Sequence, residues 1–215
     1  MNPLLFMPSP RDIPEVKKTW HIIPYDKFIV KYTPEVEAYQ IGRNFFLEHE
    51  EYTHFIICPD DLEISTQGVE QLMYDADEFD FPVISGIGNI DESQPDLLAI
   101  CRKPCQYNLG PSVGYGEYIK RDELPKDDIF EVGHLGFGCQ IIDRDTIEKT
   151  TFQQWEDKGY LDWQFSIECN KLGIQLLVDK RVSGYHRRFQ QRLKKEFKDK
   201  MADMSLSYTI WLRDR

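Results

Sequence analysis

Tyr52-Thr53-His54-Phe55-Ile56-Ile57-Cys58-Pro59-Asp60-Asp61-Leu62-Glu63 is the stretch on which the reading of this chain turns. The apolar run predicts a buried strand over 53–58. It stops at Pro59 and gives way to three carboxylates, Asp60, Asp61 and Glu63, within four residues. Three acids at a strand end repel one another unless something positive sits among them. A divalent cation is the usual answer, because hard cations take oxygen ligands. Asp61 and Glu63, two apart, would present their carboxylates around one ion. The competing reading is a solvated acidic turn, or a cap for the helix that follows.

Outward from this stretch, apolar runs predict further strands over 4–7, 27–32, 83–86, 97–101, 138–143 and 175–179. Helical patterns lie between several of them. Residues 34–47 begin with Pro34 and early acids and carry apolar residues at helical spacing. Residues 66–74 follow the carboxylates, 144–149 start a third helix, and 163–172 form a fourth that stops at Gly173. Alternation of strands and helices in the first 85 residues predicts βαβ units and a mostly parallel sheet. Ligands on such sheets bind beyond the C-terminal ends of the strands, which is where the acids fall. The middle, 102–132, is rich in Pro, Gly and charge. It reads as a long excursion with some extended structure, and loops of that length are often functional.

The 215 residues suit one large domain with a substantial core, and 41% hydrophobic with 13% aromatic residues argues for a globular protein. The formal net charge of −11 argues against a general nucleic-acid binder. An acidic protein still binds a phosphorylated ligand through a metal and a few local cations. No apolar run reaches the ~20 residues of a membrane span, and the N-terminus lacks the basic region of a signal peptide. The odd set Cys58, Cys101, Cys105, Cys139 and Cys169 suits reduced thiols in a cytosolic compartment. Cys101 and Cys105 form one CxxxC without the second pair that structural zinc needs. Neither Gly133-x-x-Gly136-x-Gly138 nor Gly86-Ile87-Gly88 has the dinucleotide spacing of glycines.

Arg43-Asn44, then the apolar strand, then the acids resembles the "ARN … LDxD" arrangement of GT-A glycosyltransferases of the family 2 type. The segment from Gly133 to Arg144 is similar to that family's Gly-rich lead into an apolar strand and acceptor-side helix. Leu161-Asp162-Trp163-Gln164-Phe165, with a helix ending at Leu172-Gly173, looks like its "(E/D)D-x-x-F … G" block. Tyr185-His186 falls where many members place a late metal-binding His. The ordered set covers roughly residues 4–190. The chain departs from the pattern at Glu63, where an Asp is usual, at Pro59, and at Leu161, which leaves a single acid before the helix.

The resemblance implies a GT-A-like three-layer α/β/α sandwich over 1–186, and a metal-dependent transfer of a sugar from a nucleotide-diphosphate sugar, UDP- or GDP-linked, to a hydroxyl acceptor. It implies Mn²⁺ or Mg²⁺ held by Asp61, Glu63 and His186. Asp60 would contact the ribose or donor, Arg43 the diphosphate, and Ser9, after the first strand, the base and ribose. Gly136 would let the backbone approach the donor. Asp162 would act as the base toward the acceptor. Each residue has a plainer reading beside this one: Arg43 in a helix-surface salt bridge, Asp162 as a helix cap, His186 packed under the sheet edge, the glycines as tight strand packing. Two other functions stand as alternatives. A sugar-phosphate nucleotidyltransferase usually carries a Gly-rich loop after the first strand, and Pro8-Ser9-Pro10-Arg11-Asp12 has no glycine. A non-catalytic GT-A-like binding protein would keep the fold and lose turnover.

Residues 187–215 are distinct. Arg187, Arg188, Arg192, Lys194, Lys195, Lys198 and Lys200 alternate with Phe189, Leu193, Phe197, Met201 and Met204 at helical spacing. This predicts a basic amphipathic helix that lies on an anionic membrane surface, or packs on the domain or on a dimer partner.

Overall fold

A computed structural model describes residues 1–9, 13–31, 33–90, 94–103, 116–153, 160–186 and 207–211. The chain opens with β1 (Pro3–Ser9), α1 (Pro14–Ile22), β2 (Asp26–Lys31), α2 (Glu35–Glu48) and β3 (His54–Ile57). It continues through β4 (Leu62–Glu63), α3 (Thr66–Glu78), β5 (Val83–Gly88), β6 (Leu97–Cys101), β7 (Tyr118–Lys120) and β8 (Ile129–Val132). Then come β9 (His134–Leu135), β10 (Gln140–Asp143), α4 (Arg144–Lys149), α5 (Leu161–Leu172), β11 (Leu176–His186) and β12 (Ser207–Trp211).

The main sheet runs β12-β2-β1-β3-β10-β5-β11, with β8 and β4 both paired to β11. β1 pairs parallel with β2 and β3, and β11 pairs parallel with β5. β10 is inserted antiparallel between β3 and β5. β2, β1, β3, β5 and β11 therefore point the same way, and their C-terminal ends share one edge. β6, β7 and β9 form a small second sheet.

Both faces of the main sheet are covered, and β1 shows why its sequence is continuously apolar. Leu4 and Phe6 join one core cluster with Tyr39 and Phe46 of α2, Ile147 of α4 and Phe165 of α5. Leu5 and Met7 join the other, with Val16 and Trp20 of α1 and Val69 and Leu72 of α3. That gives the three-layer α/β/α arrangement. Aromatic rings fill the first cluster: Phe6 stacks on Phe55 at 5.1 Å and meets Tyr39 edge-on at 5.4 Å.

Local chemistry sets the helix ends. Ser65 accepts the Gly68 N–H at 3.0 Å to cap α3, and Asp143 accepts the Thr146 N–H at 2.7 Å to cap α4. Gly173, at φ 72°, closes α5 in the left-handed region. Arg144 fastens α4 to the end of α2 by donating to the carbonyls of Tyr52, Phe46 and His49 at 2.8, 3.0 and 2.7 Å.

β11 runs well past the predicted 175–179, because a register shift between Asp179 and Ser183 carries it on as far as His186. Asp75, Asp179 and Arg181 lie at that shift. Arg181 donates to both oxygens of Asp179 and of Asp75, which are buried. Residues 187–206, where the basic amphipathic helix is expected, lie outside the described residues. β12 pairs antiparallel with β2 at the sheet edge. Cys58, Cys101, Cys139 and Cys169 are buried. Among the described residues no helix is long and apolar enough to cross a membrane.

Candidate functional site

The shared C-terminal edge of the parallel strands gathers most of the candidate residues. β1 ends there at Ser9, β3 leads there to Asp60 and Asp61, β5 leads to Asn89, and β11 ends at His186. The antiparallel β10 starts from the same edge, so the Gly136–Gly138 turn lies there as well. This is the crevice in which open α/β sheets bind ligands.

Asp61 and His186 meet directly. β4 turns back from the acids to pair with the end of β11, setting Glu63 opposite Tyr185 and Leu62 opposite His186. Gly184 makes this possible. A Cβ there would lie 2.9 Å from Leu62 Cδ1 and 3.1 Å from Leu62 Cγ. His186 Nε2 lies 2.9 Å from Asp61 Oδ2, with the two side chains 18% and 7% exposed. On its other side, His186 Nδ1 is 3.1 Å from Ile90 O and 3.3 Å from Asn89 O. Carbonyl oxygens only accept, so Nδ1 carries the hydrogen and donates. Asn89 also accepts the His186 N–H at 3.2 Å.

That arrangement poses a definite electrostatic problem. With its hydrogen on Nδ1, a neutral His186 turns the Nε2 lone pair toward a carboxylate oxygen. Either a second proton or a cation must lie between them. The fixed Nδ1–H···O=C contact is the support that metal-binding imidazoles characteristically have. The 2.9 Å separation is hydrogen-bond length, so a protonated His186 would pair directly with Asp61; imidazole and carboxylate are also ligand types that divalent ions take. Asp61 and His186 therefore fit a divalent cation. Among the described residues, no three His, Cys, Asp or Glu side chains converge on one point. Glu63 lines an adjoining cleft of about 280 Å³ with Asn89, Asp96, Arg121, Ser183 and Tyr185.

Negative charge concentrates around this point. Burial pushes the Tyr39 phenol well above its ordinary value, and the carboxylates of Glu35, Asp162, Asp61 and Asp60 push it further. The Cys58 thiol is pushed up to about 12 by burial, then by Asp61 and Asp60. Asp60 is itself buried, at 3% exposure.

Asp162 lies, like Asp60 and Asp61, within electrostatic reach of Tyr39. The helix begins at Leu161 with Tyr160 as its cap, so Asp162 lies inside the first turn and is not the cap. Its Oδ1 accepts the Trp163 N–H at 2.8 Å. Burial raises its carboxyl to about 6, while backbone hydrogen bonds from Trp163 and Phe137 oppose the rise. A carboxyl held there is half ionised near pH 6 and mostly ionised at neutrality, and it retains 27% of its side-chain surface in solvent. Those are properties a general base needs.

The remaining candidates are used differently. Arg43 donates to the carbonyls of Ile147 and Thr150 at 3.2 and 3.0 Å and so fastens the end of α4. Gly136 approaches β6: its N–H donates to Ala99 O at 2.7 Å, and a Cβ would lie 2.9 Å from the Ala99 Cβ. Ser9 is the last residue of β1, in register with Lys31. Asn89 is a site residue that the sequence reading passed over. Its signal was a single Asn immediately after a glycine-ended strand.

Comparison with protein-family models gave no match, and neither did comparison with curated proteins. Solved structures do match. A197 from STIV superposes with a TM-score of 0.61 at 18% identity, covering 86% of this chain and 85% of that one. GalNAc-T7 with UDP, GalNAc and Mn²⁺ superposes with a TM-score of 0.59 at 10% identity. The overlap covers 86% of this chain but 43% of GalNAc-T7. The chain has a GT-A-like α/β fold. At these identities the likeness is one of fold, and function must be argued from the site.

Proposed function

We propose that the chain is a metal-dependent glycosyltransferase that moves a sugar from a nucleotide-diphosphate sugar to a hydroxyl acceptor. The observation that carries this reading is the Asp61–His186 pair at the C-terminal edge of the parallel strands, with Asp162 acting on the same Tyr39 phenol as Asp61. The GalNAc-T7 structure, which shares the fold and holds UDP, GalNAc and Mn²⁺, supports it.

Asp61 and His186 are the residues that would hold Mn²⁺ or Mg²⁺; Glu63, two residues after Asp61, is the further candidate. A bound ion would neutralise charge on the departing diphosphate. A diphosphate-bridging ion needs few protein ligands, because phosphate oxygens and water supply the rest. Imidazole as one ligand favours Mn²⁺ over Mg²⁺. Asp60, buried beside Asp61, would receive the ribose or the donor sugar. Asp162 would take the proton from the acceptor hydroxyl as that oxygen attacks the anomeric carbon.

The test is release of nucleoside diphosphate from a panel of UDP- and GDP-sugars with Mn²⁺ or Mg²⁺. Expected is turnover of at least one donor, lost in Asp61→Ala and in Asp162→Asn, with Asp162→Asn still binding donor. Consumption of a nucleoside triphosphate and a sugar phosphate instead would assign a nucleotidyltransferase. Donor binding without turnover would assign a binding protein.

A further inference from the structure

Asp162 has a neighbour for which the glycosyl-transfer reading has no use. His134, in β9, is 1% exposed and lies flat on the Trp163 indole, with ring centroids 3.8 Å apart and planes 5° apart. Its Nδ1 is 3.2 Å from Ser166 Oγ. The Ser166 hydroxyl donates one turn back to Asp162 O at 2.9 Å. The serine oxygen is left to accept, from the Leu135 N–H at 3.2 Å and from His134 Nδ1. Burial depresses the His134 imidazole to about 3, so the ring is neutral. A neutral ring with its hydrogen on Nδ1 presents a bare lone pair at Nε2. Nε2 lies 4.0 Å from Asp162 Oδ2. The other carboxyl oxygen, Oδ1, is held by the Trp163 N–H.

We infer that His134 is a positioning residue for Asp162, its Nε2 accepting the hydrogen that Oδ2 takes from the acceptor hydroxyl. This rests on the glycosyl-transfer reading above. In the step, the acceptor O–H bond breaks and an O–H bond forms on Oδ2. The acceptor oxygen bonds to the anomeric carbon, and the carbon–oxygen bond to the diphosphate breaks, its electron pair leaving with the diphosphate. The new O–H then turns toward Nε2, closing the gap by about 1 Å to hydrogen-bond length, and the proton later passes to water. Other titratable groups also face Asp162. Glu35 and Tyr39 come from α2 and Tyr118 from β7. Glu35 favours the neutral acid through its charge. Nε2 adds a direction, toward which the protonated oxygen is aimed.

The tautomer is measurable in the wild-type protein. Nitrogen-15 NMR should show His134 with hydrogen on Nδ1 and a bare Nε2 between pH 5 and 8; an Nε2–H would overturn the inference. His134→Asn keeps a donor for Ser166 and removes Nε2. Carbon-13 titration should then show the Asp162 midpoint moving down. The acid limb of the transfer-rate profile should follow, and kcat should fall roughly ten-fold with the donor KM unchanged. Ser166→Ala, which frees the ring to change tautomer, should move the midpoint the same way. A midpoint unmoved in both variants would make His134 a packing residue only. If the wild type turns over no donor, the transfer reading fails, while tautomer and midpoint still decide the pairing.

Discussion

Replacing Asp162 by Asn should make the protein more stable at neutral pH while removing transfer. Burial lifts this carboxyl from 3.8 to about 6. At pH below 3.8 it is neutral in both folded and unfolded chains, and the substitution changes little. Between 3.8 and 6 the folded protein holds the proton more tightly than the unfolded chain, so wild-type stability falls as pH rises through this window. Above 6 the cost is constant. A rise of this size corresponds to about 3 kcal/mol at most. Because 27% of the side-chain surface reaches solvent, about 1–2 kcal/mol is the reasonable expectation. Asn has the same shape, keeps an oxygen for the Trp163 N–H and carries no charge. Urea unfolding of wild type and Asp162→Asn at several pH values between 4 and 8 is the assay. The midpoints should coincide at pH 4 and separate progressively, the variant lying about 1–2 kcal/mol higher at pH 8. A variant less stable at pH 8, or a gap independent of pH, would refute the idea that folding holds a poised carboxyl at this position.

Three further substitutions probe the frame around the site. Arg144→Ala strips hydrogen bonds from the carbonyls of Phe46, His49 and Tyr52 and the guanidinium from the Phe46 ring, 4.4 Å away; denaturant unfolding should show a loss of about 2–4 kcal/mol. Arg181→Ala leaves Asp75 and Asp179 buried without their cation. With the Arg181 side chain 44% exposed, the loss should be about 2–3 kcal/mol. It should shrink as acid protonates Asp75, whose carboxyl is raised by burial and by Asp179. Gly184→Val forces Leu62, whose Cδ1 lies 2.9 Å from any Cβ there, off the end of β11; a stability loss of about 1–3 kcal/mol should accompany weaker Mn²⁺ binding, read by calorimetry.

Much of this architecture is legible in the sequence because its central strands are buried on both faces and its helices carry local start and stop signals. The apolar runs at Leu4–Met7, Ile56–Cys58 and Ile141–Ile142 could be little else, and Gly173 marked the end of α5 correctly. Helix α1 went unread. It buries Val16, Trp20 and little besides, so its apolar pattern is too short to stand out despite the proline at its start. The antiparallel direction of β10 has no local signature, since direction is decided by where the chain enters the sheet. Tertiary pairing likewise fixed β4, β8 and the extension of β11 past Asp179. Of the candidate site, the acids are legible as charge at a strand end, and His186 and Asp162 enter only through the resemblance to the GT-A pattern. Asn89 and His134 did not, because their roles depend on which carbonyl, hydroxyl or ring lies beside them in space. Arg43 shows the converse: its cation suited a diphosphate, but nearby helix-end carbonyls engage it.

The proposed function requires Asp61 and His186 to hold a divalent ion together with a nucleotide diphosphate. Electron paramagnetic resonance of free Mn²⁺ measures this without requiring an acceptor. Adding the protein with UDP or GDP should remove the free-ion signal well beyond the protein-free nucleotide control, and Asp61→Ala and His186→Ala should each restore most of it. Binding of Mn²⁺ and nucleotide that is indifferent to both substitutions would contradict the account.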